Sequence, residues 1–137
     1  MIPEDIRIED LQRFSANTLV EHLGIEFTSV TANQLSARMP VDERTIQPHG
    51  LLHGGASVAL AETLGSVGAS LILPKGQVPV GLEINANHVK SAKSGFVHGT
   101  ASPIHIGKKT HIWSIEIKND DNQLVCISRI TLAILDK

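Results

Sequence analysis

Glu62 is the only ionisable side chain between His53 and Lys75, set in the apolar, small-residue run GGASVALAETLGSVGASLIL (Gly54 to Leu73). A carboxylate buried there alone loses more solvation than one hydrogen bond returns, so it needs partners or a changed protonation state. Just upstream, Gln47-Pro48-His49-Gly50-Leu51-Leu52-His53-Gly54-Gly55 places polar side chains and bare glycine backbone about one to four helical turns away. A lone carboxylate, free backbone donors and hydrogen-bonding side chains are the parts of a hydrolytic site.

Gly54-Gly55 at a helix entry leaves backbone N–H groups without intrahelical partners, and the helix dipole adds partial positive charge there. A carbonyl oxygen docked on them would be polarised and its developing charge stabilised. Glu62 follows Gly54 by eight residues, or ~12 Å of helical rise. That is too far for both groups to act on one small substrate from a helix beginning at Gly54. Either the helix begins later or the site is completed across a subunit interface. Gln47 and His53 are candidates to bind substrate or orient water. Ser66, one turn beyond Glu62 on the same face, either positions a water or bonds back to the Glu62 carbonyl. His49 and His53 sit four apart, but Pro48 and Gly50 argue for a loop, and no zinc-protease pattern accompanies them, so no metal is expected. Ser57 lacks the flanking glycine of a nucleophile elbow.

A second, basic cluster comprises His88, Val89, Lys90 and Ser91 after the EINANH stretch, and the glycine-containing segment His105-Ile106-Gly107-Lys108-Lys109-Thr110. Ammonium groups and free backbone donors of this kind favour phosphate. Nucleic acid is not an expected partner: the formal net charge is −2 and only 3% of residues are aromatic. The single cysteine, Cys126, excludes an internal disulfide and fits a cytoplasmic protein. The acidic N-terminus MIPEDIRIED has no apolar core segment and does not read as a secretion signal. The Gly54–Leu73 run has nearly the length of a membrane span, but Glu62, its hydroxyls and its glycines favour a buried helix.

The elements that must position these groups follow from periodicity. Residues 8–23 read as one or two short helices, with Asn17 as a candidate cap and Gly24 as a left-handed stop. Residues 25–30 and 34–41 form a hairpin around Ala32-Asn33, and 42–52 form a loop. A helix runs from near Gly54 to Pro74. Four strand signals follow: Val80, Leu82, Ile84 and Ala86 on one face; Phe96 to Ser102; His111 to Lys118, with Trp113, Ile115 and Ile117 on one face; and Gln123 to Leu135. Asn119-Asp120-Asp121-Asn122 turns the last two. The 137 residues form one domain, and the order predicts an α+β fold with an antiparallel sheet curled around one long helix. The exposed edges of such a sheet predict self-association.

Taken together, Gln47-Pro48, Gly50-Leu51-Leu52-His53-Gly54-Gly55-Ala56-Ser57, Ala61-Glu62 and Val80-Gly81-Leu82-Glu83-Ile84-Asn85-Ala86-Asn87-His88 resemble the hotdog-fold acyl-CoA thioesterases of the phenylacetate-type subfamily. The likeness extends over essentially the whole chain. Within that subfamily it is greatest to the 1,4-dihydroxy-2-naphthoyl-CoA hydrolases of menaquinone and phylloquinone synthesis, with the proofreading thioesterases of enterobactin synthesis close by. The resemblance implies a hotdog fold, dimers assembled into tetramers, and active sites at the dimer interface. It implies Glu62 as catalytic base or nucleophile, Gln47 and His53 as holders of the thioester region, the Gly54 N–H as its polarising donor, and Ser66 as the water ligand. Gly81, His88 to Ser91 and His105 to Thr110 would line the CoA path, CoA being substrate and no cofactor being needed. Two positions depart from the pattern: His49 stands where relatives carry an aromatic residue, and Lys90 where they carry arginine, which keeps the charge without the bidentate fork. A hotdog hydratase is the enzymatic rival, through Asp42 and His49; an acyl-CoA-binding module is the non-enzymatic one.

Overall fold

Two short helices open the chain in the computed structural model, which describes residues 1–137: α1 (Ile8–Phe14) and α2 (Leu19–His22). Asn17 does not cap α2. It adopts a left-handed conformation (φ 63°), and Thr18 caps instead, its hydroxyl oxygen accepting the Val20 N–H at 3.2 Å. A cap needs extended backbone, which Thr18 has and Asn17 lacks. Gly24 is left-handed (φ 74°), as its position after the helix requires.

Next come the hairpin β1 (Glu26–Val30) and β2 (Leu35–Pro40), then the helix α3 (Gly54–Ile72), then β3 (Gln77–His88), β4 (Phe96–Ile106), β5 (Thr110–Asn119) and β6 (Leu124–Asp136). All pairs are antiparallel in one sheet of order β1-β2-β4-β5-β6-β3. This is the hotdog arrangement. The helix sits between β2 and β3 in sequence, and that interruption lets β3 pair at the far edge with β6.

By length and composition α3 is apolar enough to cross a membrane, yet it packs along β2 to β6 as the core helix. Leu60, Ala61, Leu64 and Ala69 meet Trp113, Ile115, Ile117, Ile130 and Leu132, all fully buried. Contact is close enough that a β-carbon at Gly68 would lie 2.9 Å from the Trp113 ring. Its glycines weaken α3 locally, by about 1 kcal/mol each relative to alanine, but they admit the indole.

Two strand expectations are corrected. Val80, Leu82, Ile84 and Ala86 do not share one face, because Gly81 pairs with Leu132 and Glu83 with the adjacent Thr131, making Leu82 the extra residue of a β-bulge. Ile84 and Ala86 pack on the core, while Val80 (45%) and Leu82 (63%) remain exposed. In addition, His105 and Ile106 belong to β4, and only Gly107 to Lys109 form the connection to β5.

Candidate active site

α3 begins at Gly54, which removes the possibility of a later helix start. His53 is its N-cap: the backbone is extended, its N–H donates to the Thr45 carbonyl (2.8 Å), and its ring Nδ1 accepts the Gly55 N–H (2.8 Å). The His53 carbonyl accepts the N–H groups of Ala56 (3.0 Å) and Ser57 (3.2 Å). The Gly54 N–H has no partner in the chain. Capping thus reduces the orphan donors of the helix entry to one accessible N–H, at the positive end of the dipole.

That N–H lies at a cavity of about 380 Å³ lined by Gln47, Gly54, Ser57 and the run His88 to Ser91, with Leu52 and Val125 among its apolar walls. Each wall has a local cause. The Gln47 Oε1 accepts the N–H groups of His49 (2.5 Å) and Leu51 (3.5 Å), folding the loop around its own side chain. The Leu52 N–H donates to the Ala92 carbonyl (2.8 Å), tying that loop to the segment after β3. A register shift on β6 leaves the Val125 carbonyl to accept both the Val89 (2.9 Å) and Lys90 (3.3 Å) N–H groups. The His88 ring rests on the helix start, so a β-carbon at Gly54 would lie 2.9 Å from its Nε2. Gln47, Gly54, His88, Val89, Lys90 and Ser91 are therefore brought together.

The His53 ring points elsewhere. It lines a separate pocket of about 310 Å³ with Leu19, Leu23, Arg44 and Ile46, on another side of the helix entry. Glu62 is also apart, two turns along α3. It is half-buried, forms no ion pair or hydrogen bond within the chain, and faces the backbone of Gly81. Within one chain, no Lys or Arg pairs with it as a structural carboxylate would require. Ser66 is half-buried one turn further and does not bond back to Glu62; its own carbonyl accepts the Ser70 hydroxyl (3.0 Å).

His105 to Thr110 lie at the opposite end of the sheet from His88. Thr110 and Val80 share the row of Ala133, whereas His88 pairs with Cys126. Seven residues of β6 separate those rows, ~23 Å at the strand rise. Within one subunit the two phosphate-favouring segments do not form one path. Asp42 is not free for hydratase chemistry: Arg44 binds both its oxygens (2.6 Å to Oδ2), and this hydrogen bonding holds its carboxyl below the usual carboxylate range. Sequence reasoning passed over Ser57 as a cavity-lining group. Its three-residue offset from Gly54, which puts both on one helix face, was the available signal.

Comparison with known proteins agrees with this geometry. Residues 49–126 match the family model described as Thioesterase superfamily. The chain is 56% identical over 129 residues to a Vibrio cholerae protein named as a presumed esterase without a stated substrate, covering 94% of this chain and 86% of that one. It is 49% identical over 130 residues to the 1,4-dihydroxy-2-naphthoyl-CoA hydrolase of Escherichia coli, covering 95% and 96%. The crystal structure of a Haemophilus influenzae thioesterase superposes with TM-score 0.96 at 45% identity, covering 99% of this chain and 96% of that one. With the antiparallel sheet around one helix and the free donor at its entry, these matches show that the chain belongs to the Thioesterase superfamily of hotdog-fold thioester hydrolases.

Proposed function

We propose that the protein hydrolyses an aromatic, hydroxyaryl acyl-CoA to the free acid and CoA, with 1,4-dihydroxy-2-naphthoyl-CoA as the specific candidate. The observation that carries the reading is the unpartnered Gly54 N–H opening into a cavity shared with Gln47 and Lys90. In this reading the thioester carbonyl oxygen accepts from the Gly54 N–H, and Gln47 holds the thioester region. Glu62 either takes a proton from the attacking water or adds to the carbonyl carbon itself, and Ser66 holds the water. His53 acts by capping and so presenting Gly54. Lys90, with His88 and Ser91, takes the phosphates of CoA.

Glu62 and Gly54 meet only if two subunits share the site. β3 is one of the two edge strands of the sheet, and its exposed Val80 and Leu82 lie beside Gly81. Antiparallel pairing of two copies about a two-fold axis near Ile84 and Asn85 would set Gly81, and the Glu62 above it, opposite His88 of the partner subunit. The same operation would bring the His105 to Thr110 end of one copy toward the His88 end of the other. The assembly proposed is a dimer of dimers, checked by its mass in solution. A cytoplasmic location belongs to the same reading and is supported by the lone, buried, unpaired Cys126.

The test is free-thiol release from 1,4-dihydroxy-2-naphthoyl-CoA, benzoyl-CoA, a medium-chain acyl-CoA and acetyl-CoA, comparing wild type with Glu62→Gln. Aromatic-selective turnover that falls at least ~100-fold in the variant is expected. Equal turnover of all acyl groups would favour a permissive or proofreading role, a reading supported by 48% identity to the proofreading thioesterase of Cronobacter turicensis. Binding without turnover would leave an acyl-CoA-binding module.

A further inference from the structure

Two of the four hydroxyls on α3 bond back to the helix. Thr63 donates to the Ala59 carbonyl (2.7 Å) and Ser70 to that of Ser66 (3.0 Å), the usual fate of a helical hydroxyl. Ser66 does not bond back, and neither does Ser57. The carbonyl it would use, that of His53, already accepts two N–H groups, and the Ser57 side chain makes no hydrogen bond in the chain. It is nonetheless only 1% exposed and lines the 380 Å³ cavity. What little of the residue is open faces the cavity, so the hydroxyl is left to donate to whatever fills it. Ser57 follows Gly54 by three residues, so the two lie on one helix face with ~4.5 Å of rise between them. An unpartnered N–H and an unpartnered hydroxyl therefore line one cavity from the same helix face.

We propose that Ser57 is a catalytic residue: its Oγ–H donates to the thioester carbonyl oxygen as the second member, with the Gly54 N–H, of the pair that holds the oxyanion. When an oxygen nucleophile adds to the carbonyl carbon, the C=O π pair moves onto oxygen, and both donors strengthen toward the charge that forms there. Collapse re-forms the C=O and expels sulfur as thiolate. Ser57 keeps its proton throughout and forms no covalent bond. The inference rests on the proposed reading in which Gly54 polarises the thioester.

Wild type, Ser57→Ala and Glu62→Gln are to be compared on benzoyl-CoA, 2-hydroxybenzoyl-CoA and hexanoyl-CoA, with kcat and KM separated and thermal melting recorded. Ser57→Ala removes one oxygen from a packed site, so the melting temperature should hold. A fall in kcat of ~100-fold on all three substrates, the scale for losing one oxyanion donor, with KM little changed, supports the proposal. Loss confined to 2-hydroxybenzoyl-CoA would make Ser57 a reader of the acyl substituent and overturn it. Unchanged kcat would also overturn it, leaving Ser57 a packing residue. Wild type without turnover on any acyl-CoA would instead sink the thioesterase reading itself, a result separable from the others because Ser57 plays no part in it.

Discussion

The Glu62 carboxylate rests on the bare backbone of Gly81: any β-carbon at position 81 would overlap its Oε2. One residue later the β-bulge at Leu82 begins, so the strand presents its only glycine under the only carboxylate of α3. Gly81, which the family resemblance assigns to the CoA path, thus also lies directly under Glu62.

A methyl group there should push the carboxylate out of line. Gly81→Ala is expected to lower kcat by about 10- to 100-fold, the cost of misplacing a reacting group by roughly an ångström. Its KM for acyl-CoA should move little. Steady-state kinetics beside a melting curve will check this, and a KM effect alone would return Gly81 to CoA binding.

The proposed sharing of the site between subunits has a direct consequence. Gly54→Pro deletes the free N–H where helices best accept proline, at the first helical position, after a residue whose extended backbone (φ −68°, ψ 131°) already suits a following proline. That variant and Glu62→Gln should each be nearly inactive. Co-expressed with separate tags and purified as the mixed dimer, they should recover one intact site of the two. Recovery to a large fraction of half the wild-type activity is the expected outcome, and none would place both groups in one subunit.

His111 sets a pH dependence unconnected with catalysis. It lies on the buried face of β5, is 1% exposed, and its Nδ1 has no hydrogen-bond partner. Burial, with a smaller contribution from His105, holds its pKa below the ordinary value of 6.5. A lowered folded-state pKa means the unfolded chain binds the proton first, so stability is present above pH 6.5 and is lost as pH falls below it. Asp42 and Asp120, lowered from 3.8 by hydrogen bonds to Arg44 and His98, add their losses only in more acid solution. Chemical denaturation between pH 7.5 and 5, in buffers spaced about half a unit apart, should show the decline in wild type and a flatter profile in His111→Leu. An identical slope in both would remove His111 from the account.

Local rules carried much of this protein. Alternation placed Trp113, Ile115 and Ile117 on one buried face, and the glycine pair before a small-residue run placed the helix start at Gly54. The same spacing established that Gly54 and Glu62 stand two turns apart, a conflict visible before any fold was known. Tertiary structure decided what depends on register and on donors used elsewhere. The bulge at Leu82 turned Gly81 toward Glu62, which no two-residue period could reveal, because one inserted residue reverses every face beyond it. The extended backbone of Thr18 took the cap expected of Asn17, and His53 turned out to be a cap whose ring leaves the cavity. The three-residue spacing put Ser57 on the Gly54 face, but only the folded chain left its side chain unpartnered at the cavity. A sequence names the groups able to donate, whereas only the folded chain determines which of them are still free to do so.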